Sequence, residues 1–181
     1  MAVAHVGFTS VGELGLLAVV LRYSRASWAQ WVDFNASTAT FGYALIHAAT
    51  FFGGVPRRWM FEEPDCRVLA WDGHREYFAS LLEAIADHMG SSLALWHERY
   101  RGPATRACER LIWATACPRR ADLGAGNGVL RVALDDTELR QPHPRQPGRS
   151  IAETFAEERV HLLPLPASWT ALDSWFEAEN G

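Results

Sequence analysis

The chain has 181 residues, which is enough for one domain with a substantial apolar core. Its formal net charge of −4 counts against a dedicated DNA-binding domain, since such domains are usually basic. Its aromatic fraction of 12%, with eight Trp, argues against a disordered chain, and no apolar run reaches the roughly 18 residues of a membrane span.

The cysteines and the N-terminus bear on the cellular compartment. Cys66, Cys108 and Cys117 match no zinc-binding spacing, and their odd number argues against a disulfide framework. The first residues lack the basic segment followed by an apolar one that a signal peptide needs. We therefore expect a cytoplasmic protein with reduced thiols and no membrane partner.

The first third of the chain predicts three strands and a helix. Residues 2–8 predict a short strand, and the continuous apolar run Leu14–Leu21 is typical of a buried one. Residues 27–34 alternate between two faces and predict a third strand, antiparallel to the second. Several helix N-cap residues follow, and apolar residues then recur at helical spacing until Gly53.

The middle of the chain alternates between strand and helix signals. A second helix is predicted to open at Asp72 or Gly73, and a third to cover residues 104–115. Short strands are predicted over residues 57–62, 66–71 and 92–96.

The last third has weaker periodicity. Its three glycines at positions 124, 126 and 128 predict a flexible loop, and its prolines predict a stiff, extended segment after it. Ser150 and Glu153 form a capping-box pattern that predicts a short helix over residues 150–158.

This order of strands and helices indicates a fold class. A three-stranded meander followed by alternating helix and strand describes the α/β, RNase H-like fold, a mixed five-stranded sheet with flanking helices. We expect residues 1–117 to form such a core, incompletely. We expect residues 118–181 to form a divergent loop, a short helix and a C-terminal tail.

Several segments resemble one protein family. Ala-Val-Val-Leu-Arg-Tyr-Ser-Arg at residues 18–25, Phe-Gly-Gly-Val-Pro-Arg-Arg at 52–58 and Gly-Arg-Ser-Ile-Ala-Glu-Thr-Phe-Ala-Glu-Glu-Arg at 148–159 occur in the family's order. The family is the IstA type of insertion-sequence transposase, whose core belongs to the retroviral-integrase superfamily. The resemblance covers most of residues 14–117 and 148–166, whereas residues 118–147 match poorly.

The resemblance implies a particular chemistry. Members of the family cut and join DNA by in-line attack on a phosphodiester, with two Mg²⁺ ions about 4 Å apart. Three carboxylates hold the metal: an Asp on the first strand, an Asp after the fourth and a Glu on the helix after the fifth. The resemblance also implies DNA as a partner, with an ATPase helper protein of the same element, and it allows an oligomer.

The sequence departs from that carboxylate pattern at each position. Residues 2–8 contain no acid, and Glu62 stands at the second position with one extra methylene, where a shift of about 1 Å can cost about 10²-fold in rate. Thr105 stands at the third position, and Glu109 follows one helical turn later, about 6 Å along the axis. Glu62 is the candidate catalytic residue and metal ligand, with Glu109 as a displaced second candidate, and the chain is predicted to be inactive.

Arginine supplies every basic side chain other than His. The chain has no Lys, and six of its Arg lie between positions 99 and 120, where bidentate guanidinium groups suit phosphate contacts. The predicted DNA-binding residues are Arg99, Arg101, Arg106 and Arg110. They define an alternative function, a non-catalytic module that binds DNA or an intact transposase, although a solvated helix face accounts for the same pattern.

A second motif points elsewhere. Asp-Leu-Gly-Ala-Gly-Asn-Gly at residues 122–128 resembles the glycine-rich first motif of S-adenosylmethionine-dependent methyltransferases. In that family a buried strand precedes the loop, but Cys-Pro-Arg-Arg-Ala at residues 117–121 does not make a buried strand, and only 53 residues follow Gly128. Methyltransferase-like cofactor binding is therefore a remote alternative to a flexible loop.

Overall fold

The computed structural model describes residues 1–64, 67–97 and 101–180. Within these ranges the helices are α1 (Thr38–Phe52), α2 (Ser80–His88), α3 (Pro103–Thr115), α4 (Leu123–Val132), α5 (Ile151–Arg159) and α6 (Asp173–Asn180). The strands are β1 (Val3–Val11), β2 (Leu14–Leu21), β3 (Ser27–Asp33), β4 (Arg58–Glu62), β5 (Leu69–Trp71), β6 (Glu76–Phe78) and β7 (Ser92–Trp96).

Five of these strands form one mixed sheet in the order β3-β2-β1-β4-β7. The meander β1-β2-β3 is antiparallel, whereas β4 and β7 run parallel to β1. The central position of β1 brings its N-terminal half beside β4, with His5 opposite Met60. The predicted RNase H-like arrangement, a mixed five-stranded sheet with flanking helices, is confirmed.

Strand β2 explains why this sheet has a core on both faces. Each of its eight residues is buried, as its continuous apolar run predicts. Leu17, Val19 and Leu21 pack in the larger core with α1 and α2, whereas Leu14 and Leu16 pack in a second core with α3 and α4. The alternation of side chains along one strand therefore supplies both helical layers.

The helix ends follow the capping residues of the sequence. Ser37 precedes α1 in a capping box with Thr40, and Gly53 ends the helix in a left-handed conformation. The Ser150–Glu153 capping box opens α5, as predicted. Among the described residues, no helix is both long enough and apolar enough to cross a bilayer.

The segment around Asp72 corrects one prediction. The second helix begins at Ser80, not at Asp72 or Gly73, because the Asp72 carboxylate accepts the backbone N–H groups of His74 and Arg75 and so forms a turn. This turn joins β5 and β6 in a separate hairpin. The strand predicted over residues 66–71 shortens to Leu69–Trp71, and Cys66 lies outside the described residues.

The glycine-rich segment corrects a second prediction. It forms the helix α4, which continues as a π-helical turn over Ala133–Glu138, and not a flexible or cofactor-binding loop. Leu130 and Leu134 bury one side of it in the second core. The Asn127 amide accepts the Trp31 N–H (2.7 Å) and donates to the Trp31 carbonyl (3.0 Å) on the edge strand β3. Tertiary contacts thus outweigh the low helix propensity of glycine.

Alanine substitutions at two glycines of α4 test this helix. Gly128 faces open space, so Gly128→Ala is expected to raise the free energy of unfolding by about 0.5–1 kcal/mol through helix propensity. A Cβ at Gly126 would lie 2.5 Å from Pro118, so Gly126→Ala is expected to lower it by about 1–3 kcal/mol through overpacking. Urea unfolding of both variants measures the difference. Equal effects of the two substitutions would contradict a packed helix here.

Candidate functional site

Glu62 lies at the last position of β4 and its side chain is almost completely buried. The parallel neighbours of β4 place β1 on one side and β7 on the other, with Trp96 opposite Glu62. The N-terminus of α3 packs above this point. Glu62 and Thr105, which stand at the second and third carboxylate positions that the resemblance implies, therefore meet here with His5 of β1.

The Glu62 carboxylate accepts four hydrogen bonds. Its Oε1 accepts one from His5 Nδ1 (2.9 Å) and one from the backbone N–H of Ala104 (3.0 Å). Its Oε2 accepts one from the Thr105 N–H and one from the Thr105 hydroxyl, each at 2.8 Å. An ionised carboxylate offers about four lone-pair positions, so the protein itself fills this acceptor capacity.

The backbone contacts make Glu62 the N-terminal cap of α3. Gly102 is the N-cap residue and has no side chain that could accept, so the N–H groups of Ala104 and Thr105 need a partner from elsewhere. A Cβ at Gly102 would overlap the Glu62 carboxylate, so glycine is required for this approach. The negative charge also lies at the positive end of the helix dipole.

His5 contributes to this site, and the sequence analysis missed it. Residues 2–8 contain no acid, and a lone histidine in an apolar strand gives no periodic signal. His5 is fully buried on β1 and packs edge-on against the Trp96 ring, with centroids 4.6 Å apart. Its Nδ1 donates to Glu62, while its Nε2 has no hydrogen-bond partner within the described ranges.

Two opposed effects act on the pKa of Glu62. Burial, the largest single cause, raises the pKa of this carboxyl group. The hydrogen bonds from His5, Thr105 and Ala104 stabilise the ionised form and together outweigh burial, so the pKa lies below its ordinary value of 4.5. The carboxylate is therefore ionised at neutral pH although it is buried.

The donor set at this position does not fit Mg²⁺. The ion prefers six oxygen ligands in octahedral geometry and keeps several waters. Here one carboxylate has its acceptor positions filled, the Thr105 hydroxyl points its hydrogen at that carboxylate, and the third position is an imidazole. The adjacent cavity measures about 30 Å³. In the part of the chain that the structure describes, no group of three His, Cys, Asp or Glu side chains could hold a metal ion.

The other predicted site residues lie apart from Glu62. Glu109 forms an ion pair with Arg101 at the surface of α3, and Arg110 forms one with Glu138. Arg106 lines a cleft beside α3 with Arg110, away from the carboxylate network. Arg99 lies outside the described residues.

Replacing Glu62 by Gln tests its role as a cap. The amide removes the charge and turns a donor toward the helix N–H groups, so we expect the free energy of unfolding at neutral pH to fall by about 1–3 kcal/mol. Since the folded pKa is depressed, the ionised group stabilises the wild type above pH 4.5, and this contribution is lost as the pH falls below that value. The free energy of unfolding of the Gln variant should therefore lack this loss at acid pH.

Urea unfolding from acid to neutral pH measures both the free energy of unfolding at neutral pH and its dependence on pH. The matched control is Glu63→Gln, which changes the exposed neighbouring glutamate in the same way. A Glu62→Gln variant as stable as the wild type at neutral pH would contradict a capping role.

Structural comparison relates this arrangement to a known fold. The chain is similar to the catalytic core domain of BIV integrase, with a TM-score of 0.57 and 14% sequence identity, over 88% of this chain and 96% of that one. No family model and no curated protein matches the sequence. At this level of identity the likeness concerns the fold alone, which is that of an integrase catalytic core.

Proposed function

We propose that this protein is an integrase-type core that has lost DNA strand transfer and acts as a non-catalytic DNA-binding module. The observation that carries the proposal is the closed hydrogen-bond network of His5, Glu62 and Thr105, in which Glu62 and Thr105 stand at carboxylate positions implied by the resemblance. The IstA-type transposase origin, with DNA, an ATPase helper or an intact transposase as partners, is part of this proposal and rests on the resemblance of the sequence.

The loss of chemistry follows from the acceptor count at Glu62. Two-metal phosphoryl transfer needs carboxylate oxygens that are free to bind both ions and to position the attacking oxygen. Here the four acceptor positions of Glu62 are used by His5, Ala104 and Thr105. Freeing them for a metal would leave the first turn of α3 uncapped, so metal binding and the fold compete for the same oxygens.

A cleavage assay tests the loss of activity. With labelled transposon-end DNA and a titration of Mg²⁺ or Mn²⁺, we expect no cleaved or joined product above the protein-free background. We also expect the melting temperature to stay constant across the metal titration, because a bound ion would stabilise the folded state. Metal-dependent cleavage that disappears in Glu62→Gln but persists in Glu63→Gln would overturn the proposal.

The basic surface of α3 supports DNA binding. Arg106 and Arg110 lie on this helix and Arg101 precedes its N-cap, and Arg106 has no carboxylate partner among the described residues. The acidic partners of Arg101 and Arg110 lower the local positive charge, and the net charge of −4 opposes long-range attraction. We therefore propose local contacts to phosphates and weak affinity, in place of strong electrostatic steering.

Salt-dependent DNA binding tests this surface. The double variant Arg101→Ala/Arg106→Ala is expected to weaken duplex binding at low salt and to reduce the slope of log K against log salt by about one per lost phosphate contact. Arg75→Ala is the control because this exposed arginine lies in the turn of the separate β5–β6 hairpin. Absence of binding at low salt, or equal losses in both variants, would refute the DNA-binding role.

A further inference from the structure

A cleft of about 370 Å³ lies on the side of α3 that faces away from Glu62. Its walls come from the β2–β3 turn, from α3 and from the segment between the π-helical turn and α5. Its charged lining residues are Arg25, Arg106, Arg110, Glu138 and Arg145. Four guanidinium groups from three parts of the chain thus converge on one cavity that contains one carboxylate.

The charges in this cleft do not balance. Glu138, the carboxylate among the lining residues, is already paired with Arg110. Arg25, Arg106 and Arg145 form no ion pair with a carboxylate in the ranges that the structure describes. Burial lowers the pKa of Arg25, and the positive charges of Arg145 and Arg106 lower it further, while Glu158 acts in the opposite sense. Like charges held together in this way would be stabilised by an anion.

The turn that carries Arg25 is held in place by polar groups of α5 and of the segment before α5. The Glu158 carboxylate accepts the backbone N–H groups of Tyr23 (3.3 Å) and Ser24 (2.8 Å), and Thr154 donates to the Ser24 carbonyl. His143 accepts the Arg145 N–H at Nδ1, so its Nε2–H donates to the Tyr23 carbonyl (2.8 Å). One set of hydrogen bonds therefore fixes the backbone beside both Arg25 and Arg145.

Arg25 also adopts a backbone conformation that favours glycine. Its φ is +66°, a left-handed value that costs a residue with a side chain roughly 1 kcal/mol. The residues immediately before it, Tyr23 and Ser24, are hydrogen-bonded to Glu158 and His143. Strained backbone conformations of this kind cluster at ligand sites, where the surrounding structure holds a residue in a conformation that its own sequence disfavours.

The remaining walls are largely apolar, with Ser27 and Gln141 as their polar members. Val20, Pro103, Pro142, Pro144 and Ile151 line the same cavity. A volume of 370 Å³ lies within the range of about 300–1,000 Å³ for small-molecule sites, in which a few polar groups orient a largely apolar contact surface. The cleft therefore has room for an organic group beside the anion.

We propose that the cleft binds the terminal phosphate of an organic phosphate monoester, with Arg25, Arg106 and Arg145 holding the phosphoryl oxygens and the apolar walls contacting the organic part. Planar guanidinium groups suit this task because they donate bidentate hydrogen bonds to phosphate. The ligand is either a free mononucleotide or the 5′-phosphorylated end of a DNA strand. The second source rests on the proposed DNA-binding function, whereas the first does not.

Calorimetric titration of the full chain tests the site. Deoxyadenosine 5′-monophosphate is expected to bind at least about tenfold more tightly than deoxyadenosine, since charge-assisted hydrogen bonds to the phosphate are lost in the nucleoside. Arg145→Ala and Arg25→Gly are each expected to weaken nucleotide binding about tenfold or more. Arg25→Gly relieves the left-handed backbone, so its melting temperature should not fall, and loss of binding cannot be attributed to unfolding. Arg75→Ala is the control and should bind as the wild type does.

Oligonucleotides separate the two sources. Tighter binding of a 5′-phosphorylated single strand than of its 5′-hydroxyl counterpart, abolished by Arg25→Gly, supports a strand end. Binding of the mononucleotide with no binding of either strand or of duplex DNA supports the cleft and contradicts the DNA-binding function. Strand binding that is indifferent to the 5′-phosphate and to Arg25→Gly, or equal affinities for nucleotide and nucleoside, would overturn the proposal for the cleft.

Discussion

One buried carboxylate connects the elements on which this fold depends. Glu62 ends β4, accepts from His5 on the central strand β1 and caps the first turn of α3. The first N–H groups of a helix have no acceptor within it, so their position is set by whatever accepts them. Helix α3 then presents Cys108 and Leu111 to the second core, against which α4 also packs. The position of this helical layer thus follows from a few hydrogen bonds at the end of β4.

Helix α3 separates two environments of opposite character. On one side, the backbone of Ala104 and Thr105 donates to the buried Glu62 carboxylate, beside a cavity of about 30 Å³. On the other side, Arg106 and Arg110 line an open cleft of about 370 Å³. The spacing of these residues along one helix places them on different faces, so a change that affects one environment need not disturb the other.

The sequence was sufficient for the sheet and insufficient for the contacts that define the site. The strands β2 and β3 and the helix α1 follow from local periodicity, because their apolar residues repeat with a period that a single window reveals. The hairpin before α2 was missed because Phe78 happens to extend the apolar spacing of that helix. The helix α4 was missed because its three glycines disfavour a helix, while Asn127 pairs with Trp31, a residue 96 positions away.

The same limit applies to the residues of the site. Glu62 was identified from the residues around it, but its role depends on how many donors surround it, and those donors lie 57, 42 and 43 positions away. His5 was not predicted because the resemblance implies an aspartate on the first strand, and an imidazole does not match that residue type. A motif search finds residues that match an expected pattern, whereas a network that replaces the pattern becomes visible only when the partners are brought together in space.

The network at Glu62 has a consequence for how this sequence can change. Its members are mutually dependent: an acid in place of His5 would face the ionised Glu62 in a buried position, and an acid in place of Thr105 would do the same while removing a donor. Each single step toward a cluster of carboxylates therefore passes through a chain with an uncompensated buried charge. Changes at these positions are therefore expected to be concerted, because each member of the network sets the charge and the donors that the others require.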